Sequence, residues 1–105
     1  MQKQIGIKAS TKVIANTFFS EFRNANLFGE SAIRDTFQRA FNGYKYNGEY
    51  LAALTAAMNR LCLLSDKKGY ERLAAIYANY YYQCRDYALD NLKGDELSYF
   101  RRVID

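Results

Sequence analysis

Apolar residues recur along this chain at the three-and-four spacing of α-helices, with short polar breaks between the runs. The pattern predicts five helices. The first covers about Thr11 to Asn24, with Ser10 or Thr11 as N-cap and Ile14, Phe18 and Phe22 on its buried side. Ahead of it, Gln4–Lys8 is too short and too mixed for an element, so residues 1–9 read as a flexible arm. After a break at Asn24–Gly29, a second helix covers about Glu30 to Asn42. It has the clearest amphipathic pattern, with Ile33, Phe37, Ala40, Phe41 and Tyr44 on one face and Arg34, Asp35, Gln38 and Arg39 on the other.

Gly43 is expected to stop the second helix, and the loop GYKYNGE follows. Asn47 is a good N-cap for a third helix over about Gly48 to Ser65. Tyr50, Leu51, Leu54, Ala57, Met58, Leu61 and Leu64 make that helix apolar around most of its circumference, which places it at the centre of a bundle. The connection Asp66–Gly69 is short, so helices three and four should form an antiparallel hairpin. The fourth helix spans about Tyr70 to Leu92 and ends at Lys93-Gly94. Its Tyr70, Leu73, Tyr77, Tyr80, Cys84, Tyr87 and Asn91 alternate three and four apart as a heptad seam. Asp95 then caps a last helix, Glu96 to about Ile104, with Leu97, Phe100, Val103 and Ile104 on its apolar side. No repeat, linker or low-complexity tract interrupts the 105 residues. The expectation is therefore an all-α fold, a compact bundle of about five helices forming one domain.

Composition agrees. Proline, which breaks helices, is absent, and half the residues are hydrophobic. The net charge of +4 is uneven: residues 1–68 hold ten Lys/Arg against five Asp/Glu, and residues 69–105 hold five against six. A basic first two thirds permits contact with nucleic acid or an acidic protein and argues against a mimic of DNA. The segment MQKQIGIKAS lacks the apolar core of a secretion signal, and no run approaches the roughly 18 apolar residues of a membrane span. A cytoplasmic location in a bacterial host cell, with no membrane contact, is expected.

Catalytic chemistry finds few residues to use. There is no histidine, and Cys62 and Cys84 are the two cysteines. In an antiparallel hairpin their heights differ by roughly 16 Å, whereas a disulfide needs Cα atoms within about 7 Å. Both read as small apolar core residues. No metal-ligand pattern is present. Asp86 and Asp90, one turn apart, could form an acid/base pair but fit a solvated face better. Neither a nucleophile motif nor a phosphate-binding glycine loop occurs. No cofactor, metal or catalytic residue is expected, and the chain reads as a binding protein.

Two groups of residues could form an interface. Ten tyrosines include the run Tyr80-Tyr81-Tyr82, which cannot all face one core at 100° per residue. Tyr82 should be exposed, and exposed tyrosines anchor interfaces. The other tyrosines of helix four could stack bases or pack in the seam with hydroxyls at the rim. Arg34, Arg39, Lys45, Lys67 and Lys68 lie on one helix face and two loops, and the flanking Tyr44 and Tyr46 give the 43–48 loop a cationic and aromatic tip, suited to a contact or simply a solvated surface. A helix-turn-helix DNA reader is disfavoured, because the loop is long and EYLAALTAAMNRLCLL offers base edges few polar side chains.

The run from Tyr87 through Asn91-Leu92-Lys93-Gly94-Asp95-Glu96-Leu97-Ser98-Tyr99-Phe100 to Arg102, closing in Asp105, resembles the tail of small helical proteins carried by phages and conjugative elements. Asn47–Leu61 is similar to their central helix, and together the two cover about a third of the chain. Some proteins of that size and origin are anti-CRISPR proteins, including Cas9 inhibitors. The resemblance implies a non-enzymatic inhibitor of a host CRISPR nuclease, binding the Cas9–guide RNA complex. A basic protein would dock there on an acidic surface or on phosphates of the guide or target. Arg34, Arg39, Lys45, Tyr46 and Tyr82 are the expected contacts. Two other readings remain open: a small nucleic-acid-binding or regulatory protein of a phage or plasmid, and a structural protein that self-associates through exposed tyrosines.

Overall fold

The computed structural model describes residues 6–67 and 70–105, and every regular element in them is a helix. The helices are α1 (Ala9–Asn26), α2 (Glu30–Tyr44), α3 (Gly48–Lys67), α4 (Glu71–Asn91) and α5 (Gly94–Ile104). None is long and apolar enough to cross a membrane. Lys68 and Gly69 of the expected connection, and residues 1–5 of the expected arm, lie outside the described residues.

Helix α3 is central, as its apolar circumference predicts. Leu51, Ala52, Ala53, Leu54, Thr55, Ala57 and Met58 are all fully buried or nearly so. Alanines at 52, 53 and 57 let neighbouring helices approach closely. The one buried hydroxyl in this set, on Thr55, donates to Leu51 O at 2.7 Å and is satisfied. Helix α4 packs on α3 most extensively, followed by α1 and α5. Cys62 Sγ meets Ala74 O while Thr55 sits beside Cys84, so residue numbers rise on α3 as they fall on α4, and the pair is antiparallel. Both thiols are free. Cys84 is buried, and Cys62 is only half-buried, at the rim of the core.

Helix α2 packs against α1 and α3, and aromatic rings tie it to α1 and α4. Phe37 stacks on Tyr80 with centroids 4.0 Å apart, Phe41 meets Tyr87 edge-on at 5.6 Å, and Phe37 also lies 6.3 Å from Phe22. The α1–α2 turn needs Gly29, whose φ of 104° and ψ of −177° fall in a region open essentially to glycine alone. Helix α5 is anchored mainly by the fully buried Phe100.

Four local expectations need correcting. Helix α1 begins earlier than predicted, with Lys8 in the cap position, and Ser10 and Thr11 do not cap it. With the helix starting at Ala9, both lie inside its first turn, past the cap position, and their hydroxyls donate to Glu49 Oε2 at 2.6 and 2.7 Å. The arm is also tied at its end, since Lys8 N–H donates to Tyr99 Oη at 2.8 Å. Gly43 does not stop α2. Tyr44 stacks on Tyr50 at 4.7 Å and meets Phe18 at 5.6 Å, and these contacts outweigh the cost of one helical glycine, about 1 kcal/mol. Asp95 lies inside the first turn of α5, after Lys93 in the cap position.

The heptad seam of α4 is the fourth correction. Tyr77 and Cys84 are buried as expected, but Tyr70 is 54% exposed and Asn91 is exposed, while Ile76 and Ala88 are buried. A straight helix turns past a seven-residue repeat by about 20° per heptad, so the seam leaves the core at both ends. The predicted cap at Asn47 is present, with its Oδ1 accepting from Tyr50 N at 3.0 Å.

Candidate functional site

The five expected contact residues do not form one surface. Arg34 and Lys45 lie on the flank of α2 that faces α4. Arg39 lies on the flank that faces α1, where it lines the groove between those helices. Tyr46 is 77% exposed at the tip of the α2–α3 loop. Tyr82 is exposed as expected, but it lies two residues from Tyr80, about 200° around the helix from the face that meets α2.

Most of the expected charges are also engaged. Arg34 pairs with Glu30, one helical turn away, and Arg72 of α4 grips the same carboxylate. These hydrogen bonds, Arg34 first and Arg72 after it, hold the Glu30 carboxyl below the usual carboxylate range. Arg39 pairs with Asp35 at 3.1 Å. The Lys45 ammonium lies 5.3–5.5 Å from the ring centres of Phe41, Tyr46 and Tyr87. Tyr82 carries the guanidinium of Arg85 over its ring at 4.9 Å. Both α2 pairs follow the acid-before-base spacing of four that stabilises a helix surface, a signal present in the sequence.

A line of positive charge, unpaired among the described residues, lies where α1 runs beside α3. Thr11 meets Glu49 and Asn16 meets Arg60, so residue numbers rise together and the two helices run parallel. On α1, Lys12, Asn16, Phe19 and Arg23 share one strip at the spacing i, i+4, i+7, i+11. Arg60 of α3 reaches into the middle of it. Its guanidinium donates to Asn16 Oδ1 at 3.1 Å and lies 4.0 Å from the ring centre of buried Phe19, and the Arg23 guanidinium lies 5.6 Å from the same ring centre. Lys67 continues the line two turns beyond Arg60 on the same side of α3.

Lys12, Arg23, Arg60 and Lys67 are all exposed, and among the described residues no carboxylate comes within ion-pair distance of any of them. Along α1 the strip extends about 16 Å from Lys12 to Arg23. Phe19 holds Arg60 and Arg23 in place from below, so their side chains lose less freedom on meeting an anion than loose lysines would. Lys67 is the one member of this strip that the sequence singled out. Lys12 and Arg23 read as isolated charges on α1, and Arg60 as a lone cation in an apolar helix.

At its N-terminal end the strip meets a polar clasp. Ser10 and Thr11 hold the Glu49 carboxyl below its ordinary range, with help from the charge of Lys8. Thr11, almost fully buried, also shares a hydrogen bond of 2.6 Å with Tyr99 Oη. The clasp fixes α1, α3 and α5 together and holds Glu49 as an ionised carboxylate satisfied by two hydroxyls. Among the described residues no group of three or more His, Cys, Asp or Glu is arranged to hold a metal ion. No protein-family model, curated protein or solved structure matches the chain.

Proposed function

We propose that this protein acts by binding, without catalysis, and that the α1–α3 strip docks on the phosphate backbone of a nucleic acid. The single observation that carries this reading is the set of four exposed cations, Lys12, Arg23, Arg60 and Lys67, with no carboxylate partner among the described residues. Arg34 and Arg72, which share the Glu30 carboxylate, are poorer anchors, because an incoming phosphate must displace an acid held by both. The strip offers charge and amides and buries its one aromatic ring, which suits contact with the backbone more than reading of base edges.

The sequence resemblance narrows the partner to the guide RNA or DNA held in a Cas9–guide complex, so the reading is that of an anti-CRISPR inhibitor. A free nucleic-acid-binding protein of a mobile element is the second reading, favoured by the same strip. Target-DNA cleavage by guide-loaded Cas9, with this protein titrated in, separates them. Protection near stoichiometric amounts, lost in the combined Lys12→Ala, Arg23→Ala, Arg60→Ala and Lys67→Ala variant, supports the inhibitor. Binding to naked duplex or RNA without protection supports the second reading. With about four phosphates neutralised, the logarithm of affinity should fall against the logarithm of salt with a slope of about −3 to −4 on duplex. A slope near zero, or full binding by the fourfold variant, would remove the strip from either reading.

A further inference from the structure

The opposite side of α1 carries a second surface, distinct from the strip. Helices α1 and α2 are antiparallel, since Phe18 meets Tyr44 and Phe22 meets Phe37. They diverge outward to leave an open groove of about 850 Å³ between them. Its apolar lining includes Phe28, 80% exposed, at the turn end, and Val13, 63% exposed, with Tyr44 at the far end. Leu27, beside Phe28, is 79% exposed. So much apolar surface on adjoining residues of a small domain marks an interaction site. The two walls differ in charge: Glu21 projects from α1 and Arg39 from α2.

We infer that this groove is covered by a second copy of the chain, in a two-fold dimer whose axis runs along the groove. A two-fold contact requires one surface to supply both members of every complementary pair, and this one does. Rotation about that axis places the α1 wall of each copy on the α2 wall of the other. Glu21 lies about 9 Å along its helix from the turn and Arg39 about 15 Å, a mismatch of about 6 Å that two long side chains can span. Glu21 therefore meets the partner subunit's Arg39, and the pair forms twice. Arg39 can exchange Asp35 for this partner because the Asp35 contact is exposed on both sides and weak. Phe28 and Leu27 of the two copies meet near the axis at the turn end and leave water. The basic strips, about 140° around α1 from the groove, stay open on both copies.

Sedimentation velocity of the full chain across a concentration series tests this. A dimer is expected whose dissociation constant rises about tenfold or more in Phe28→Glu. Glu21→Arg and Arg39→Glu should each weaken the dimer, and the two changes combined should restore it, because the swapped pair has the same complementarity. Far-UV circular dichroism checks that each variant keeps its helices, as substitution at these exposed positions should allow. A chain that is monomeric at every concentration overturns the inference. So does a dimer indifferent to Phe28→Glu, or one that the combined charge swap fails to restore. Phosphate binding by the strip is measured separately, so failure here leaves that reading standing.

Discussion

Thr11 Oγ1 lies 2.7 Å from Glu49 Oε2, joining the first turn of α1 to the first turn of α3 across 38 residues of chain. The contact has a pH signature. The folded protein holds the Glu49 carboxyl below its ordinary value of 4.5, through Ser10 first and Thr11 second. A depressed carboxylate contributes stability that is full above the unfolded value and is lost as pH falls through the folded one. Urea midpoints should therefore fall below about pH 4.5 more steeply in the native sequence than in Glu49→Gln, which removes the titration. Parallel curves for the two would mean that the clasp does not depend on the ionised acid.

The Phe37–Tyr80 stack, at 4.0 Å and 10° between planes, ties α2 directly to α4. Phe37 is fully buried, so Phe37→Ala should cost about 3–5 kcal/mol of unfolding free energy. Tyr80→Phe should keep the stack and cost little. A double-mutant cycle between Phe37 and Tyr80 should return a coupling of about 0.5–1.5 kcal/mol. Additive losses would show that the rings contribute only buried area.

Two glycines should respond in opposite directions. At Gly29, the φ of 104° makes Gly29→Ala destabilising by about 1–3 kcal/mol, although space is open around it. Gly43 is helical with nothing within 4 Å of a new Cβ, so Gly43→Ala should stabilise by about 0.5–1 kcal/mol. Thermal melts of the two variants provide the comparison, and a shared sign would contradict the assigned backbone.

Cys84 should be chemically silent in the folded protein. Burial pushes its thiol from 9.0 up to about 12, while Cys62 is half-buried and raised by burial and then by Asp66. A thiol reagent at mildly alkaline pH should modify Cys62 first and Cys84 only on unfolding. Because the unfolded thiol ionises first, stability should fall as pH rises from about 9 toward 12, and Cys84→Ala should flatten that slope. Equal reaction rates for the two thiols would contradict the burial of Cys84.

Helix existence, the central place of α3 and the buried face of α2 were all legible in the sequence, because burial imposes a local period on apolar residues. The cap at Asn47 and the exposure of Tyr82 were legible for the same reason: each depends on residues within one or two turns. Helix ends were less so. Tyr44 carries α2 past Gly43 by stacking on Tyr50 of the next helix, and Thr11 turns from its own backbone to Glu49, both contacts between separate elements.

The candidate site divides along the same line. That Arg34 and Arg39 would be neutralised was written locally, in Glu30 and Asp35 four residues before them. That Lys12, Arg23, Arg60 and Lys67 would form a strip was not. These residues lie on two helices separated in sequence by α2, and no local pattern joins the pair on α1 to the pair on α3. Their assembly depends on α1 running parallel to α3 at a register set by Thr11 with Glu49 and by Asn16 with Arg60. The sequence determined which segments are helices and which sides they bury, since those follow from neighbours along the chain. Only the tertiary structure decided which charges remain free, since neutralisation depends on distance in space and the packing of helices sets that distance.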